Sequence, residues 1–295
     1  MALVTTGVDD RKYLLIYDTE SEELLPSFEI PIDESSNIED QLSLAIDGNI
    51  LVVGVSFDSD DSPISGAVYA YELRGERYEF HSKLKSPAVQ AGAMFGHAVA
   101  LDGTNLVVGS PLHDSTYDGA NRVDSGRIDI FQLSDGEWSH LLSNSEAWHQ
   151  DDLFPQYGFS VDILDGLIVV GAPDFSNNSG GDDGGAAFAY QLYQPNGGEV
   201  TLGYWARVHP IKYSNHFVHN RNGDRFGEVV ELGPDGLFVS APNYGYPAAD
   251  EWDWYEDGAR LPDEKTGTVF FYPKVSSGPH TGRLQGQYGQ SNGSN

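Results

Sequence analysis

Carboxylates are concentrated in four segments of this 295-residue chain, each after a short apolar run. The segments are 58–61, 114–124, 174–183 and 250–263. Calcium is a hard cation that takes six to eight oxygen ligands from carboxylates, carbonyls and water. We therefore predict Ca²⁺ at one or more of these loops, with these candidate ligands: Asp58, Asp60, Asp61, Asp174, Asp182 and Asp183. The alternative is a solvated acidic surface that keeps the protein soluble.

A long insertion at 244–265 interleaves aromatic and acidic residues. Its candidate binding residues are Tyr246, Trp252, Asp253, Trp254 and Tyr255. Flat Trp and Tyr faces stack on sugar rings or fill partner pockets, and loops longer than about 12–15 residues are often functional. The insertion therefore predicts a site for a glycan or a protein ligand. The alternative is that these aromatics pack onto the sheet beneath them.

No residue set marks a catalytic site in the sequence. His216 and His219 have metal-ligand spacing, but no third ligand is fixed in register and no helix caps flank them. Their segment also carries Lys212, Arg221 and Arg225, which favours a binding loop. There is no Gly-x-Ser-x-Gly, phosphate loop or dinucleotide fingerprint. The many carboxylates leave open a pair at glycosidase spacing.

A sequence repeat predicts the strands that position these residues. An aromatic-Gly pair, alternating apolar residues, a tight turn and a Leu-Val-Val-Gly-type run recur in phase. The copies begin at Phe95-Gly96, Tyr157-Gly158 and Phe226-Gly227, and a worn copy without the aromatic-Gly pair runs from 41 to 54. The Asp-Gly turns begin at 47, 102, 165 and 235, so the spacings are 55, 63 and 70. The variation falls in the acidic loops.

Each repeat predicts four strands, here called A to D. Strand A follows the aromatic-Gly pair, and strand B is the continuous apolar run expected of a strand buried on both faces. Asp-Gly between them is a strong hairpin signal. Strand C follows the acidic loop, as in 66–73, and strand D follows C, as in 78–84. Four strands per repeat without a helix indicate an all-β fold, a β-propeller of four-stranded blades.

The chain ends bear on the number of blades. Residues 2–7, 12–17 and 24–30 are interpreted as strands B, C and D of a first blade that lacks strand A. Gln287-Tyr288-Gly289 echoes Gln156-Tyr157-Gly158, so 287–291 is a candidate for that missing strand. We predict one propeller domain over 1–275 and a Gly/Ser/Gln/Asn-rich tail over 276–295. The expectation is five blades, one of them closed by both termini. The alternatives are four blades or part of a longer propeller.

These motifs resemble the FG-GAP repeat, found in integrin α-subunit heads and in bacterial and marine surface proteins. The resemblance is carried best by Tyr157-Gly158 with Gly171-Ala172-Pro173, and by Phe226-Gly227 with Ser240-Ala241-Pro242. It implies a non-enzymatic binding or adhesion propeller that recognises a protein or glycan through blade-connecting loops. Integrin propellers bind Ca²⁺ in Asp-x-Asp-x-Asp-Gly loops, and no loop here has that full pattern. Alternative functions are a carbohydrate-active hydrolase or lyase at the propeller axis and a structural module of a larger surface protein.

Composition limits the partners. The chain has 16 Lys+Arg against 45 Asp+Glu, a formal net charge of −29, which disfavours nucleic acid and anionic membranes. It has no Cys, which excludes disulfides and thiolate metal sites. No apolar run is long enough for a membrane span. The first residues lack signal-peptide character. We expect an extracellular or surface-exposed protein whose export is directed from outside this chain, or a trimmed chain.

Overall fold

The computed structural model describes most of the repeat region and leaves several loops and the chain ends aside. It describes residues 2–6, 12–18, 22–30, 42–117, 119–145, 155–175, 184–193, 200–208, 224–243 and 267–274. All regular structure in these residues is β-strand, which confirms the all-β prediction. The strands form five larger antiparallel sheets and one small hairpin.

The first sheet contains β1 (Ala2–Thr6), β2 (Lys12–Asp18), β3 (Glu23–Leu24) and β4 (Phe28–Glu29). The second contains β5 (Leu42–Asp47), β6 (Ile50–Val55), β7 (Ala67–Arg74) and β8 (Arg77–Leu84). The third contains β9 (Ala98–Asp102), β10 (Asn105–Ser110), β13 (Arg127–Ser134) and β14 (Glu137–Asn144). Between β10 and β13 lies the hairpin of β11 (Ser115–Tyr117) and β12 (Ala120–Arg122).

The fourth sheet contains β15 (Ser160–Leu164), β16 (Leu167–Ala172), β17 (Ala186–Tyr193) and β18 (Thr201–Val208). The fifth has three described strands: β19 (Val230–Gly233), β20 (Gly236–Ala241) and β21 (Thr268–Pro273). Sheets 2 and 4 follow the order A-B-C-D along the chain, and sheet 3 does so once the small hairpin is set aside. These sheets are the four-stranded propeller blades that the repeats predict. In the first sheet, β1 and β2 fill the places of strands B and C.

The strands B of sheets 2, 3 and 4 each contribute to two hydrophobic clusters, because successive side chains of a strand point to opposite faces. In β10, Leu106 and Val108 pack towards sheet 2, whereas Val107 packs towards sheet 4. The same alternation places Val170 against sheet 3 and Val169 against sheet 5. The core is therefore a series of junctions between consecutive sheets.

The aromatic-Gly pairs join consecutive sheets through backbone contacts. Isolated parallel bridges connect Gly66 with Phe95, Gly126 with Tyr157, and Gly185 with Phe226. In each bridge, the first residue precedes strand C of one sheet, and the aromatic begins the next sheet. The three aromatic side chains are fully buried in the junctions. The aromatic-Gly pair is therefore a joint between blades.

Two segments differ from the simple repeat pattern: the acidic segment 114–124 and the segment 287–291. The carboxylates of segment 114–124 predict a loop, but most of the segment forms the β11–β12 hairpin, with Thr116 paired to Asn121. Between its carboxylates lie polar and small residues that can form a hairpin: Thr116, Ala120, Asn121 and Arg122. The density of negative charge in the segment obscured this strand signal. The proposed closing strand at 287–291 lies outside the described residues, so ring closure stays a prediction.

Candidate functional site

The loops between strands B and C all leave the sheets at one end, here called the loop end. The bridges of Gly66, Gly126 and Gly185 to the following aromatics lie at this end, which also receives the connections from strand D to the next strand A. The acidic segments and the insertion at 244–265 all belong to B–C connections. In the described part of the chain, the candidate residues at this end are Asp58, Asp60, Asp61 and Asp174.

The loop between β6 and β7 is folded around the carboxylate of Asp58. Lys83 on β8 places its Nζ 3.0 and 2.8 Å from the two Asp58 oxygens and 2.6 Å from Oδ2 of Asp60. The Tyr69 hydroxyl donates to Asp58 Oδ2 at 2.7 Å. Lys85 Nζ lies 2.7 Å from Oδ1 of Asp61. A lysine ammonium therefore occupies the position between Asp58 and Asp60 where the sequence predicts calcium.

The pKa values of Asp58, Lys83 and Tyr69 follow from their contacts with one another. Burial alone would raise the pKa of Asp58, but the hydrogen bonds from Lys83 and Tyr69 outweigh it and hold that pKa below its usual range. Burial opposes the charge of Lys83, yet the two carboxylates raise its pKa above the ordinary value. Burial and the Asp58 carboxylate raise the pKa of Tyr69 to about 12. Asp58 and Lys83 are therefore both charged at neutral pH.

A second ion pair joins the fourth and fifth sheets at the loop end. Arg225 Nη1 lies 2.9 Å from Oδ1 of Asp174, and its Nε also contacts Glu228. The guanidinium lies 5.3 Å from the ring centroid of Phe159, a cation–π distance. The His97 ring also packs on Phe159, with its centroid 4.7 Å from that of the phenylalanine ring. Asp174, another predicted calcium ligand, therefore also has a basic partner.

Sheet 3 contains a buried polar cluster around Asp129, which is fully inaccessible to solvent. Arg127 donates to Oδ1 through Nε at 3.0 Å and Nη2 at 2.8 Å, and Ser143 donates to the same oxygen. Ser86, from the segment that follows sheet 2, donates to Oδ2 at 3.2 Å. Burial would raise the pKa of Asp129, but the hydrogen bonds from His140 and Arg127 outweigh it and lower the pKa. This cluster fastens a D–A connection to the next sheet.

Carboxylates on the innermost strands link neighbouring blades. The Asp47 carboxylate accepts from the Gly103 amide at 2.6 Å, and Asp102 accepts from the Gly166 amide at 3.3 Å. Asp162 accepts from the amides of Ile163 and Leu232. Burial raises the pKa of Asp162 above its usual range. These side chains use their oxygens to hold backbone amides of the following sheet, which is a structural role.

A shallow groove runs between the outer strands of sheets 2 and 3. Its lining includes Phe80, His81, Lys83, Glu137 and Trp138. Phe80 is 57% exposed, and His81 Nε2 lies 3.0 Å from the carbonyl oxygen of Gly136 across the groove. Sequence reasoning missed this groove because it depends on the side-by-side placement of two strands D.

The described residues bring together only part of the predicted site. Among them no three His, Asp or Glu side chains converge as a metal site. Asp58, Asp60, Asp61 and Asp174 have the basic partners described above. The remaining predicted site residues lie outside the described part of the chain: Asp182, Asp183, Tyr246, Trp252, Asp253, Trp254 and Tyr255. Lys83 could not be predicted as the counter-ion of Asp58 and Asp60, because only the β7–β8 pairing brings it to Asp58.

Part of sheets 2 and 3 matches a known family of sequence repeats. The family profile of the FG-GAP repeat matches residues 78–131. This chain contains an FG-GAP repeat. The match runs from strand D of sheet 2 through strands A and B of sheet 3 and into strand C, so the FG-GAP unit spans two blades. It covers under a fifth of the chain. A search of the curated proteins finds no significant match.

The FG-GAP repeat is typical of β-propeller modules used in adhesion or binding, often at the cell exterior. The sequence resemblance to such propellers is therefore confirmed at the level of the repeat. In the residues that the structure describes, no helix has the length and hydropathy to cross a membrane.

Proposed function

We propose that this FG-GAP propeller is a non-enzymatic binding or adhesion module that recognises a protein or a glycan through its loop end. The observation that carries the proposal is the gathering of the B–C loops at one end of consecutive sheets. Propeller loops on a rigid scaffold are a common location for binding residues. An extracellular or surface-exposed location fits this role and the strongly acidic charge, because salt outside the cell screens repulsion between exposed charges.

Rigid loops support the proposal. Asp58 holds its loop through two internal contacts: Asp58 N donates to Val55 O at 3.1 Å and Gly66 N donates to Asp58 O at 2.9 Å. The ion pair to Lys83 fixes the same loop to β8. A loop ordered before binding loses less conformational entropy in the complex. The β6–β7 loop is therefore a preorganised part of the loop end.

The binding test uses the insertion. Replacing Trp252 and Trp254 together with alanine is expected to weaken binding to a ligand identified on a glycan or protein array at least about tenfold, because aromatic anchors dominate binding interfaces. Binding is measured by surface plasmon resonance. Tyr193→Ala is the matched control, since this 49% exposed aromatic ends strand C at the opposite end of sheet 4. Equal affinity of both variants would place the site elsewhere, and arrays without any ligand would refute the proposal.

Calcium is a further part of this proposal. Lys83 and Lys85 already neutralise the carboxylates of Asp58, Asp60 and Asp61, so these residues as arranged do not fit a calcium site. We propose instead that Ca²⁺ stiffens the β16–β17 connection through Asp182 and Asp183, since Asp174 in the same connection is paired with Arg225. Oxygen ligands of this kind suit calcium.

The calcium test is a melting experiment. Millimolar CaCl₂ is expected to raise the Tm over that in EDTA, because a ligand at 100 times its Kd stabilises the native state by about 2.7 kcal/mol. The double variant Asp182→Asn/Asp183→Asn is expected to lose this shift, whereas Asp60→Asn is expected to keep it. A Tm that is the same in CaCl₂ and EDTA would contradict the proposal.

A further inference from the structure

The groove between β8 and β14 has a volume of about 610 Å³, a size typical of sites for small ligands. Its lining includes Gly136 and Glu137, at the turn that joins β13 to β14. This turn lies at the end of sheet 3 opposite the acidic loops, because strand C runs away from the loop end. The groove therefore extends to the end of the sheets that the proposed binding loops do not occupy.

A β-bulge on β8 brings His81 into the groove. The β7–β8 register shifts between Ala70 and Tyr71, which leaves His81 as an extra residue on β8. A bulge of this kind re-aims a side chain. His81 Nε2 lies 3.0 Å from the carbonyl oxygen of Gly136 on sheet 3, and its Nδ1 lies 3.0 Å from Ser82 Oγ. Because a carbonyl oxygen only accepts, Nε2 donates this bond across the groove.

The equivalent bulge in sheet 3 carries a different side chain. There the register shifts between Ile130 and Phe131, and the extra residue on β14 is Leu141. Leu141 packs against the hydrophobic cluster between sheets 3 and 4. The polar bridge of His81 is therefore a feature of the groove between sheets 2 and 3, and the repeat alone does not account for it.

Two aromatic side chains in the groove have rigid supports. Phe80 is 57% exposed, and its ring centroid lies 5.9 Å from that of the buried Tyr71 in an edge-to-face contact at 75°. The ring of Tyr69, also buried, lies 6.4 Å from Phe80. Trp138 is partly buried and packs against the hydrophobic cluster between sheets 2 and 3. Phe80 therefore presents an aromatic face to solvent while buried tyrosines hold its other side.

Charged side chains surround these aromatics, and the positive charges among them are already compensated. Arg74, Glu79 and Glu137 line the groove and are exposed. Arg74 lies 3.2 Å from a carboxylate oxygen of Glu72 and 3.9 Å from one of Glu79. Lys83 is held by the carboxylates described above. The formal net charge of −29 also repels anions, so the groove favours a neutral ligand with many hydroxyl groups.

We propose that this groove is a second binding site, separate from the loop end, and that its ligand is a neutral oligosaccharide. The apolar face of a sugar ring packs on the exposed face of Phe80. The sugar hydroxyls donate to the carboxylates of Glu79 and Glu137 and accept from the guanidinium of Arg74. The bridge of His81 to Gly136 holds the two walls together before the sugar binds.

A peptide added as a further strand is the other occupant that an edge strand can take. β8 is an edge strand of sheet 2. However, the bulge at His81 interrupts the regular row of backbone donors and acceptors on β8, and bulges protect sheet edges against such pairing. A sugar contacts side chains and needs no regular backbone ladder. The groove therefore fits a sugar better than a peptide strand.

The test is calorimetric titration of the full chain with four neutral hexasaccharides: cellohexaose, xylohexaose, mannohexaose and chitohexaose. At least one of them is expected to bind with a Kd of about 1 mM or tighter, and hexagalacturonate is expected to bind at least about tenfold more weakly. Phe80→Ala is expected to weaken binding of the neutral sugar at least about tenfold, because it removes the aromatic face. Phe80→Leu keeps apolar volume against Tyr71 and is expected to show the same loss.

Two controls separate the groove from other aromatic surfaces of the protein. Phe238→Ala removes a 43% exposed phenylalanine from sheet 5 and is expected to change the affinity by less than about twofold. The double variant Trp252→Ala/Trp254→Ala is expected to retain the same affinity, because the insertion at 244–265 is a B–C connection of the loop end. Sugar binding that this double variant loses and Phe80→Ala keeps would assign the sugar to the loop end and overturn the groove site.

Three other results would also overturn the proposal. The first is the absence of binding by all four neutral hexasaccharides at concentrations up to about 10 mM. The second is hexagalacturonate binding as tightly as the neutral sugars. The third is a peptide, selected from a phage-displayed library on the native chain, that no longer binds Phe80→Ala and that none of the sugars displaces, because the groove would then belong to a protein partner.

Discussion

Gly109→Ala is expected to lower the free energy of unfolding by about 3 kcal/mol or more. A Cβ at Gly109 would lie 2.0 Å from the carbonyl oxygen of Gly158 and 3.0 Å from its carbonyl carbon. Both atoms belong to the backbone, so no side-chain rotation relieves the overlap. The substitution therefore pushes sheets 3 and 4 apart at the joint that Tyr157 fills. Urea denaturation followed by tryptophan fluorescence measures the loss.

The matched control for this substitution is Gly233→Ala. Gly233 also lies in a strand, but a Cβ there would meet its nearest atom at 3.7 Å. Alanine also has less conformational entropy than glycine in the unfolded chain, so this variant is expected to be as stable as the native protein or up to about 1 kcal/mol more stable. Equal stabilities for Gly109→Ala and Gly233→Ala would show that the sheets do not approach as described.

Asp129→Ala is expected to destabilise the protein by about 3–5 kcal/mol. The substitution leaves Arg127, whose side chain is 17% exposed, without its buried carboxylate, and it removes the acceptor for Ser86. An uncompensated buried charge costs more than the ion pair contributed. Glu79→Ala is the control, because Glu79 is 58% exposed and lies 3.9 Å from Arg74, and its loss is expected to cost less than about 1 kcal/mol.

The pH dependence of the unfolding free energy, measured for the native protein and for Asp129→Ala, distinguishes the loss of an ion pair from a simple loss of packing. The pKa of Asp129 is lowered in the folded state, so the carboxylate stabilises the fold above the unfolded pKa of about 3.9. That contribution is lost as the pH falls below this value towards the folded pKa. The difference in unfolding free energy between native protein and Asp129→Ala is therefore expected to shrink below about pH 4. A difference that stays constant down to pH 2.5 would contradict the ionic role.

Much of the fold could be predicted from local sequence. Strands B are continuous apolar runs, and the turns that join them to strands A place glycine at positive φ, as at Gly48 and Gly103. The aromatic-Gly pairs predicted the start of sheets 3, 4 and 5, because their phase is repeated along the chain. These signals are local, and they recur, so tertiary context did not override them.

The candidate site was less predictable because its contacts are not local. Lys83 is distant in sequence from Asp58, and only the register of β7 with β8 brings them together. The pairing of Asp47 with the Gly103 amide likewise depends on how two sheets pack. A carboxylate next to a metal ion and a carboxylate next to lysine have the same sequence signature. The acidic pattern therefore indicated where a cation would lie and could not indicate which one.

The division of the strands B of sheets 2, 3 and 4 between two neighbouring sheets affects how the protein tolerates mutation. A substitution at Val107 is felt by sheet 4, and one at Val108 by sheet 2, so damage from a single replacement stays within one junction. Deleting one residue from the same strand exchanges the two faces and disturbs both junctions together. Sequence drift in these blades can thus proceed one joint at a time through substitutions, whereas single-residue insertions and deletions are confined to the loops.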